Sequence, residues 1–468
     1  MSFGFRWGLL SSVAALAVAT IMAPVRADTL EGALILAYQN NPSLNSQRAA
    51  VRATDEGVSQ ALAGYRPRIT ANGSIGELSQ DSTTKLTTPG LANPYVNLNG
   101  TITPITYGIT ATQMLFDGFQ TANKTRQAES NVYAAREVLR STEQATLLNA
   151  ATAYMNMLRD TAILDLQKRN VEVLQEQLRQ TRDRFNVGEV TRTDVAQSES
   201  ALAAGRSSVL TAESNYKTSA AIYRQVIGKD PSKLQPATPV DRFSPQTEAA
   251  SVTLGTSRHP NVVSAQYNVD AALNAVKVAE GALYPNVSLQ GSVQKSLMSS
   301  ITQIQTLNSE VLGVVSMPIY QGGAEYSAIR QAKETLGQRR IDLDTARDQV
   351  RQTVVQSWGQ LEAAKANIEA TQAQVQSSEI ALNGVREEAR VGQRTTLDVL
   401  NAQQTLVNAR VSLVSAQRDR VVASYTLLSA VGRLTPAVLG LHVPTYDPQV
   451  HYHQVRDAWI GVRTPDGR

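Results

Sequence analysis

The sequence predicts a mainly α-helical chain with a smaller β part, built twice from the same order of elements: helix, β-hairpin, long helical hairpin. Three observations carry this. Landmarks recur at two fixed offsets. Two stretches of more than 100 residues, after Pro104 and after Pro318, contain no proline. At or shortly before the start of each lie short runs in which apolar and polar residues alternate.

Residues 1–27 read as a secretory leader. Arg6 is the basic start, an apolar run follows, and Val25 and Ala27 are the small residues before a cleavage point. The competing reading of that run is a membrane anchor. No later run of 18 apolar residues exists, so no transmembrane helix is expected in the mature chain. Removing Arg6 and Arg26 lowers the net charge of +4 to +2. The remaining charges of both signs are interspersed as on solvated helix faces, which argues against nucleic acid as a partner. The chain has no cysteine. That excludes disulfides, thiolate metal sites, a catalytic thiol and a lipidated N-terminal cysteine.

The first copy spans residues 28–228 and the second 253–432, with a linker at 229–252 and a tail at 433–468. Asn41-Pro42 is echoed by His259-Pro260, and Gly73 by Gly291, at an offset of 218. Gly188 is echoed by Gly392, and Asp194 by Asp398, at an offset of 204. The difference, 218 − 204 = 14, predicts about 14 extra residues in the first copy. The Thr-, Pro-, Asn- and Gly-rich stretch 81–100 is expected to hold them as a loop. In each copy a helix runs up to Pro67 or Pro285, where the missing N–H stops it. The strand-like runs are 68–78 and 102–116, then 286–296 and 310–320, giving hairpins at 68–116 and 286–320. Ile105, Tyr107, Ile109 and Ala111 alternate with Thr106, Gly108 and Thr110.

Leu147, Ala151, Tyr154 and Leu158, and Val354, Trp358 and Leu361, keep coiled-coil-like spacing in the long helical part. A helix from Gly118 to Gly188 would be on the order of 100 Å long. The return helix is shorter, and the helix before the strands is placed to stack on its end and make up the length. The prolines in the linker and the tail predict irregular structure there.

Four strands per chain cannot close a barrel, and an open sheet edge cannot sit in lipid. Membrane strands would therefore require a barrel shared by several chains, with eight strands from two or twelve from three. The other reading is a soluble hairpin pair packed on the helices.

The ordered set of landmarks resembles the TolC family of outer-membrane efflux and export ducts. It comprises the duplication, Asn41-Pro42, the junctions at Pro67 and Pro285, the strand exits Leu115-Phe116-Asp117-Gly118 and Pro318-Ile319-Tyr320-Gln321-Gly322-Gly323, and the paired Gly188 and Gly392 turns. The resemblance implies a homotrimer with a 12-stranded barrel in the outer membrane of a Gram-negative bacterium, contacting its lipid. A 12-helix tunnel would continue into the periplasm. It implies a passive exit duct for type I protein secretion and/or multidrug efflux, opened at its periplasmic tip. Its partners would be a periplasmic adaptor (membrane fusion) protein and an inner-membrane ABC or RND transporter. The tail, with Thr445-Tyr446-Asp447-Pro448 and Trp459-Ile460-Gly461, resembles that of type I secretion members. The alternative function is a soluble periplasmic coiled-coil scaffold or adaptor.

Asp398 reads in two ways. It is an acidic residue in a first helical turn, favoured by the helix dipole, or a pore-constriction carboxylate repeated around a symmetry axis. Asn401, one turn further on, stands where relatives often carry a second aspartate. By resemblance, Arg394 is a gate latch to Thr193 and Asp194, while Ala389 replaces the family's accompanying tyrosine. The other reading of Thr193-Asp194 is a helix N-cap. Gly188 and Gly392 are expected to end helices in a left-handed conformation. With Val187 and Val391 they are candidate adaptor contacts. Gly228-Lys229-Asp230 lacks the spacing of a phosphate loop. His451 and His453 read as residues of an exposed tail. No catalytic set, metal centre or cofactor site is expected.

Overall fold

The computed structural model describes residues 29–85, 95–301 and 303–467. The expected leader lies outside the described residues. The first copy contains α1 (Leu30–Asn40), α2 (Pro42–Leu62), β1 (Arg68–Ile75), β2 (Leu78–Lys85), β3 (Tyr95–Ile102), β4 (Ile105–Asp117), α3 (Gln120–Asn186) and α4 (Arg192–Ile227). The second contains α5 (Glu248–Arg258), α6 (Pro260–Gly281), β5 (Asn286–Ser300), β6 (Gln303–Ser316), α7 (Ala324–Arg390) and α8 (Thr396–Ala430). The tail adds α9 (Pro448–Val455). The duplication is therefore structural: α3 and α7 are both 67 residues long, and α4 and α8 have 36 and 35.

The echoed X-Pro pairs are paired helix starts. Asn41 Oδ1 accepts hydrogen bonds from the Ser43 and Leu44 N–H groups at 3.0 and 3.3 Å. His259 Nδ1 accepts one from the Asn261 N–H at 3.2 Å. In both, proline takes the first helical position, where its missing N–H costs nothing. The break lets the return helix end there: Asn41 Nδ2 donates to the Val226 carbonyl at 3.4 Å, joining the end of α4 to the start of α2. In the second copy Gly432 (φ +80°) lies so close to His259 that a Cβ would stand 2.9 Å from its Cα. The expected end-to-end stacking is thus present in both halves.

Tyr154, Leu147 and Ala151 are fully buried with Tyr223, Ile227, Leu428 and Leu434 in the largest core cluster. This core sits where the linker and the chain after α8 cross the long helices. The Tyr154 hydroxyl donates to the Gln235 carbonyl at 2.7 Å and accepts from its N–H at 3.0 Å, pinning the linker. Val350, Val354 and Leu361 form the matching core of the second copy with Leu427. α5 begins at Glu248, inside the stretch read as linker, and is the counterpart of α1.

Four strands form one antiparallel sheet in the order β1-β4-β5-β6, in which β4–β5 pairing fuses the two hairpins, and β2 and β3 form a second, two-stranded sheet. Register puts Tyr107 opposite Lys295, Ile109 opposite Val293 and Ala111 opposite Gly291. Gly291 then faces Val311, and Val287 faces Val315. These positions make one mostly apolar face; Thr106, Thr110, Ser292 and Gln294 fall on the other. Ile109, Val293, Leu307 and Val311 are all exposed.

Two expectations are corrected. The two ends of the extra segment of the first copy, 81–85 and 95–100, are strand and not loop, because β2 and β3 pair from Leu78↔Ile102 to Lys85↔Tyr95; the middle of the expected loop lies outside the described residues. The β-branched Thr83, Thr84 and Val96 suit a strand, and Thr83 Oγ1 bonds Asn97 Oδ1 across it at 2.8 Å. The tail is not a free end either. α9 packs on α2, and His451 is buried with its Nδ1 3.0 Å from Asp55 Oδ2. A carboxylate sealed in the wall at Asp55 needs a partner, and the tail supplies it. Among the described residues no helix is long and apolar enough to cross a membrane.

Candidate constriction at the helical tips

Each long helix ends in the same backbone motif. Val187 closes α3, Gly188 adopts φ +81°, and its N–H bonds the Phe185 carbonyl at 3.0 Å. The next N–H, of Glu189, reaches back to the Arg184 carbonyl at 2.9 Å. In the second copy Gly392 has φ +79° and bonds Ala389, while Gln393 bonds the Glu388 carbonyl at 2.9 Å. Such paired bonds satisfy the last free carbonyls of a helix and require the left-handed residue that glycine supplies. Val187 and Val391 are left 71% and 70% exposed, so the ends of the molecule carry two bare valines.

The returning helices begin with reciprocal caps. The Thr191 hydroxyl and N–H both donate to Asp194 Oδ2, at 2.7 and 2.9 Å, and the Asp194 N–H donates to Thr191 Oγ1 at 3.4 Å. Thr395 and Asp398 repeat this at 2.8, 3.0 and 3.2 Å. The N-cap of the first turn is therefore Thr191, not Thr193 or Asp194; Asp194 is the third helical residue, and Thr193 is exposed beside it. The Thr191-x-x-Asp194 and Thr395-x-x-Asp398 spacings are the sequence signal for these boxes. Both carboxyls are held below the usual range. For Asp194 the cause is the Thr191 hydroxyl, then its N–H, with a further contribution from the Thr396 hydroxyl of the second turn. For Asp398 it is the Thr395 N–H, then its hydroxyl. Both are charged at neutral pH.

Ion pairs differ between the turns. Arg184 Nε meets Glu189 at 3.0 Å in the first; in the second the polarity reverses, and Arg394 Nε meets Glu388 Oε2 at 2.8 Å. Within the chain, then, Arg394 does not reach Thr193 or Asp194. The local pair closes a short turn and fixes less chain than the longer link.

Packing decides which face of α8 stays free. Val399 joins Leu382 and Leu406 against α7. Leu400 turns the other way, onto Leu174, Leu178 and Leu202 of α3 and α4. Asp398 and Asn401, three residues apart, share the remaining face. Asn401 is exposed there with Gln404, Thr405 and Asn408, an uncharged polar stripe below a carboxylate. Ala389 packs into the Leu382 cluster. Beside the tips, a polar cleft of about 640 Å³ opens between the ends of α3 and α7, lined by Glu176, Arg184, Arg386 and Arg390.

The residues 34–229 and 255–433 match the family model described as outer membrane efflux protein. The chain is 44% identical over 442 residues to the outer membrane efflux protein BepC of Brucella suis biovar 1 (strain 1330), covering 94% of this chain and 93% of that one. It is 28% identical over 412 residues to the outer membrane protein TolC of Escherichia coli (strain K12), covering 84% and 80%. Among solved structures, the CmeC outer membrane channel of Campylobacter jejuni superposes with a TM-score of 0.72 at 16% identity, covering 92% of this chain and 89% of that one. At that identity the likeness shows the shared fold.

Proposed function

This chain belongs to the outer membrane efflux protein family, and on that premise we propose that three copies close one 12-stranded barrel whose helices continue as a periplasmic duct. It is an outer-membrane channel of the exit-duct class. The single observation that carries the trimer is the four-stranded sheet, with an apolar face and two unpaired edges, β1 and β6. An unpaired edge costs several kcal/mol per group in hydrocarbon. β6 of one copy against β1 of the next keeps the antiparallel alternation and removes both edges of the four-stranded sheet. A soluble scaffold would leave Ile109, Val293 and Val311 bare in water, and that alternative is set aside.

At the tip, Asp398 and Asn401 would form the constriction: three carboxylates and, one turn on, three amides around one axis. Arg394 uses Nε on Glu388, which leaves its other donors to latch Thr193 and Asp194 of a neighbouring subunit. Val187-Gly188 and Val391-Gly392 would meet a periplasmic adaptor, and an inner-membrane ABC or RND transporter would supply the energy. The family description and the Brucella relative both carry efflux in their names. Small-molecule efflux is therefore the first cargo reading, and the tail's likeness to type I secretion members makes polypeptide export the second.

Deleting the gene and restoring it with the wild-type chain tests both readings. Efflux predicts drug and detergent sensitivity in the deletion strain; polypeptide export predicts loss of a secreted protein. Wild-type chain recovered as a soluble periplasmic monomer would overturn the duct itself.

A further inference from the structure

The tail carries more than a packing role. It climbs α2 and comes back. His451 stands at Asp55; seven residues later the Ala458 carbonyl accepts hydrogen bonds from Ser59 Oγ at 3.3 Å and from Arg66 Nη1 at 2.6 Å. Asp466 has returned to Arg52, at 3.6 Å. The climb from Asp55 to Arg66 is about 16 Å along a helix. The apex is Trp459-Ile460-Gly461-Val462, and its three side chains are 67%, 96% and 100% exposed. Trp459 lies under the Arg66 guanidinium, 5.1 Å from ring centroid to Cζ. Arg66 is two residues before the first residue of β1.

That height is distinctive. Exposed aromatic rings gather at the strand–helix junctions: Tyr65, Phe119, Tyr284 and Tyr320. A belt of such rings marks the level where a membrane strand leaves hydrocarbon for headgroups. A tryptophan, an isoleucine and a valine bared at this level, with Arg66 on the ring and Arg463 next to Val462 in the chain, have the composition of an interfacial anchor. Apolar side chains enter the acyl boundary while cations stay with anionic headgroups.

We propose that the tail apex, Trp459, Ile460 and Val462, inserts into the periplasmic leaflet of the outer membrane as a lipid anchor at the base of each barrel segment. This rests on the barrel reading above. The Asp55–His451 contact, with Tyr452 under Arg136 at 5.1 Å, positions the anchor and does not touch lipid. The occupant is a bilayer surface because the apex is held at Arg66, two residues before β1, the level at which the exposed aromatic rings stand.

The full trimer, reconstituted in phosphatidylethanolamine–phosphatidylglycerol vesicles, tests this by tryptophan emission. Trp358→Phe leaves Trp459 as the sole tryptophan beyond residue 27. Brominated acyl chains should remove most of its emission. A control, Trp358→Phe/Trp459→Phe/Ile109→Trp, reports the sheet face. If the control is quenched and Trp459 is not, the anchor is overturned while the barrel stands. If neither is quenched, the barrel reading fails, and the anchor with it. Emission shielded from aqueous iodide yet untouched by brominated lipid would mean that a neighbouring copy covers the apex, which also overturns the anchor. Should Trp358→Phe fail to assemble, the wild type minus Trp459→Phe difference gives the same reading.

Discussion

Asp398 does two jobs in the proposed duct, and they separate by substitution. Its Oδ2 closes the cap on Thr395; its charge would set the ring. Asp398→Ala removes both. Asp398→Gln removes the charge but keeps a side chain that can reach back to the N-cap N–H, since glutamine is accepted at this position of a capping box. Consider a divalent cation held ~6 Å from each of three carboxylates in a water-like dielectric, with about 0.1 M salt. Each carboxylate then raises its occupancy about threefold, and the ring roughly thirtyfold. In planar bilayers, Asp398→Gln should therefore weaken block by divalent cations by roughly one order of magnitude or more, and higher salt should shrink the difference. Glu189→Gln neutralises a carboxylate of the first turn that lies outside the proposed latch and should leave block near wild type. Equal block in Asp398→Gln and wild type, or equal loss in both variants, would refute Asp398 as the constriction. Thr395→Ala separates the cap: it costs about 1 kcal/mol of local stability with the charge retained.

Other outcomes follow from the same geometry. Burial, with a smaller contribution from Arg140, pushes the His259 imidazole down to about 4. Its folded value lies below the ordinary 6.5, so its contribution is complete above pH 6.5 and is lost as pH falls toward 4, by up to about 3 kcal/mol per chain. His259→Asn, which copies the Asn41 cap, should flatten that loss when urea midpoints at pH 7 and pH 4.5 are compared. Ile109→Lys places a charge on the apolar sheet face and costs about 2–4 kcal/mol if that face meets lipid. Thr110→Lys, on the other face, should be tolerated, and the yield of membrane-assembled trimer reads both. Val187→Asp with Val391→Asp should abolish export while trimer yield and bilayer conductance stay unchanged, because neither valine supports the fold.

The duplication, the helix breaks and the tip turns were legible because each rests on local rules. Proline at 42 and 260 ends one helix and opens another. Glycine at 188 and 392 permits a backbone that other residues resist. Alternation at 105–111 exposes one face whatever the sheet's neighbours are. The capping boxes were equally local, two T-x-x-D spacings, and a reading centred on Thr193 missed the cap three residues upstream of Asp194. The β2–β3 extension was hidden by composition, since threonine and asparagine serve loops and strands alike, and only cross-strand pairing decided between them.

Tertiary structure decided what depends on distant partners. The β4–β5 pairing that fuses the hairpins joins residues about 180 positions apart, and no local pattern encodes it. Asp55 and His451 lie 396 residues apart. Neither residue type at its position announces a buried contact, and only the packing of α9 on α2 removes both from water and requires that they meet. The sequence by itself determined the repeat, the element types and the paired tips, because those follow from backbone chemistry within a few residues. The free face of α8 and the height of the tail beside β1 follow from how long helices pack, which is a property of the whole chain.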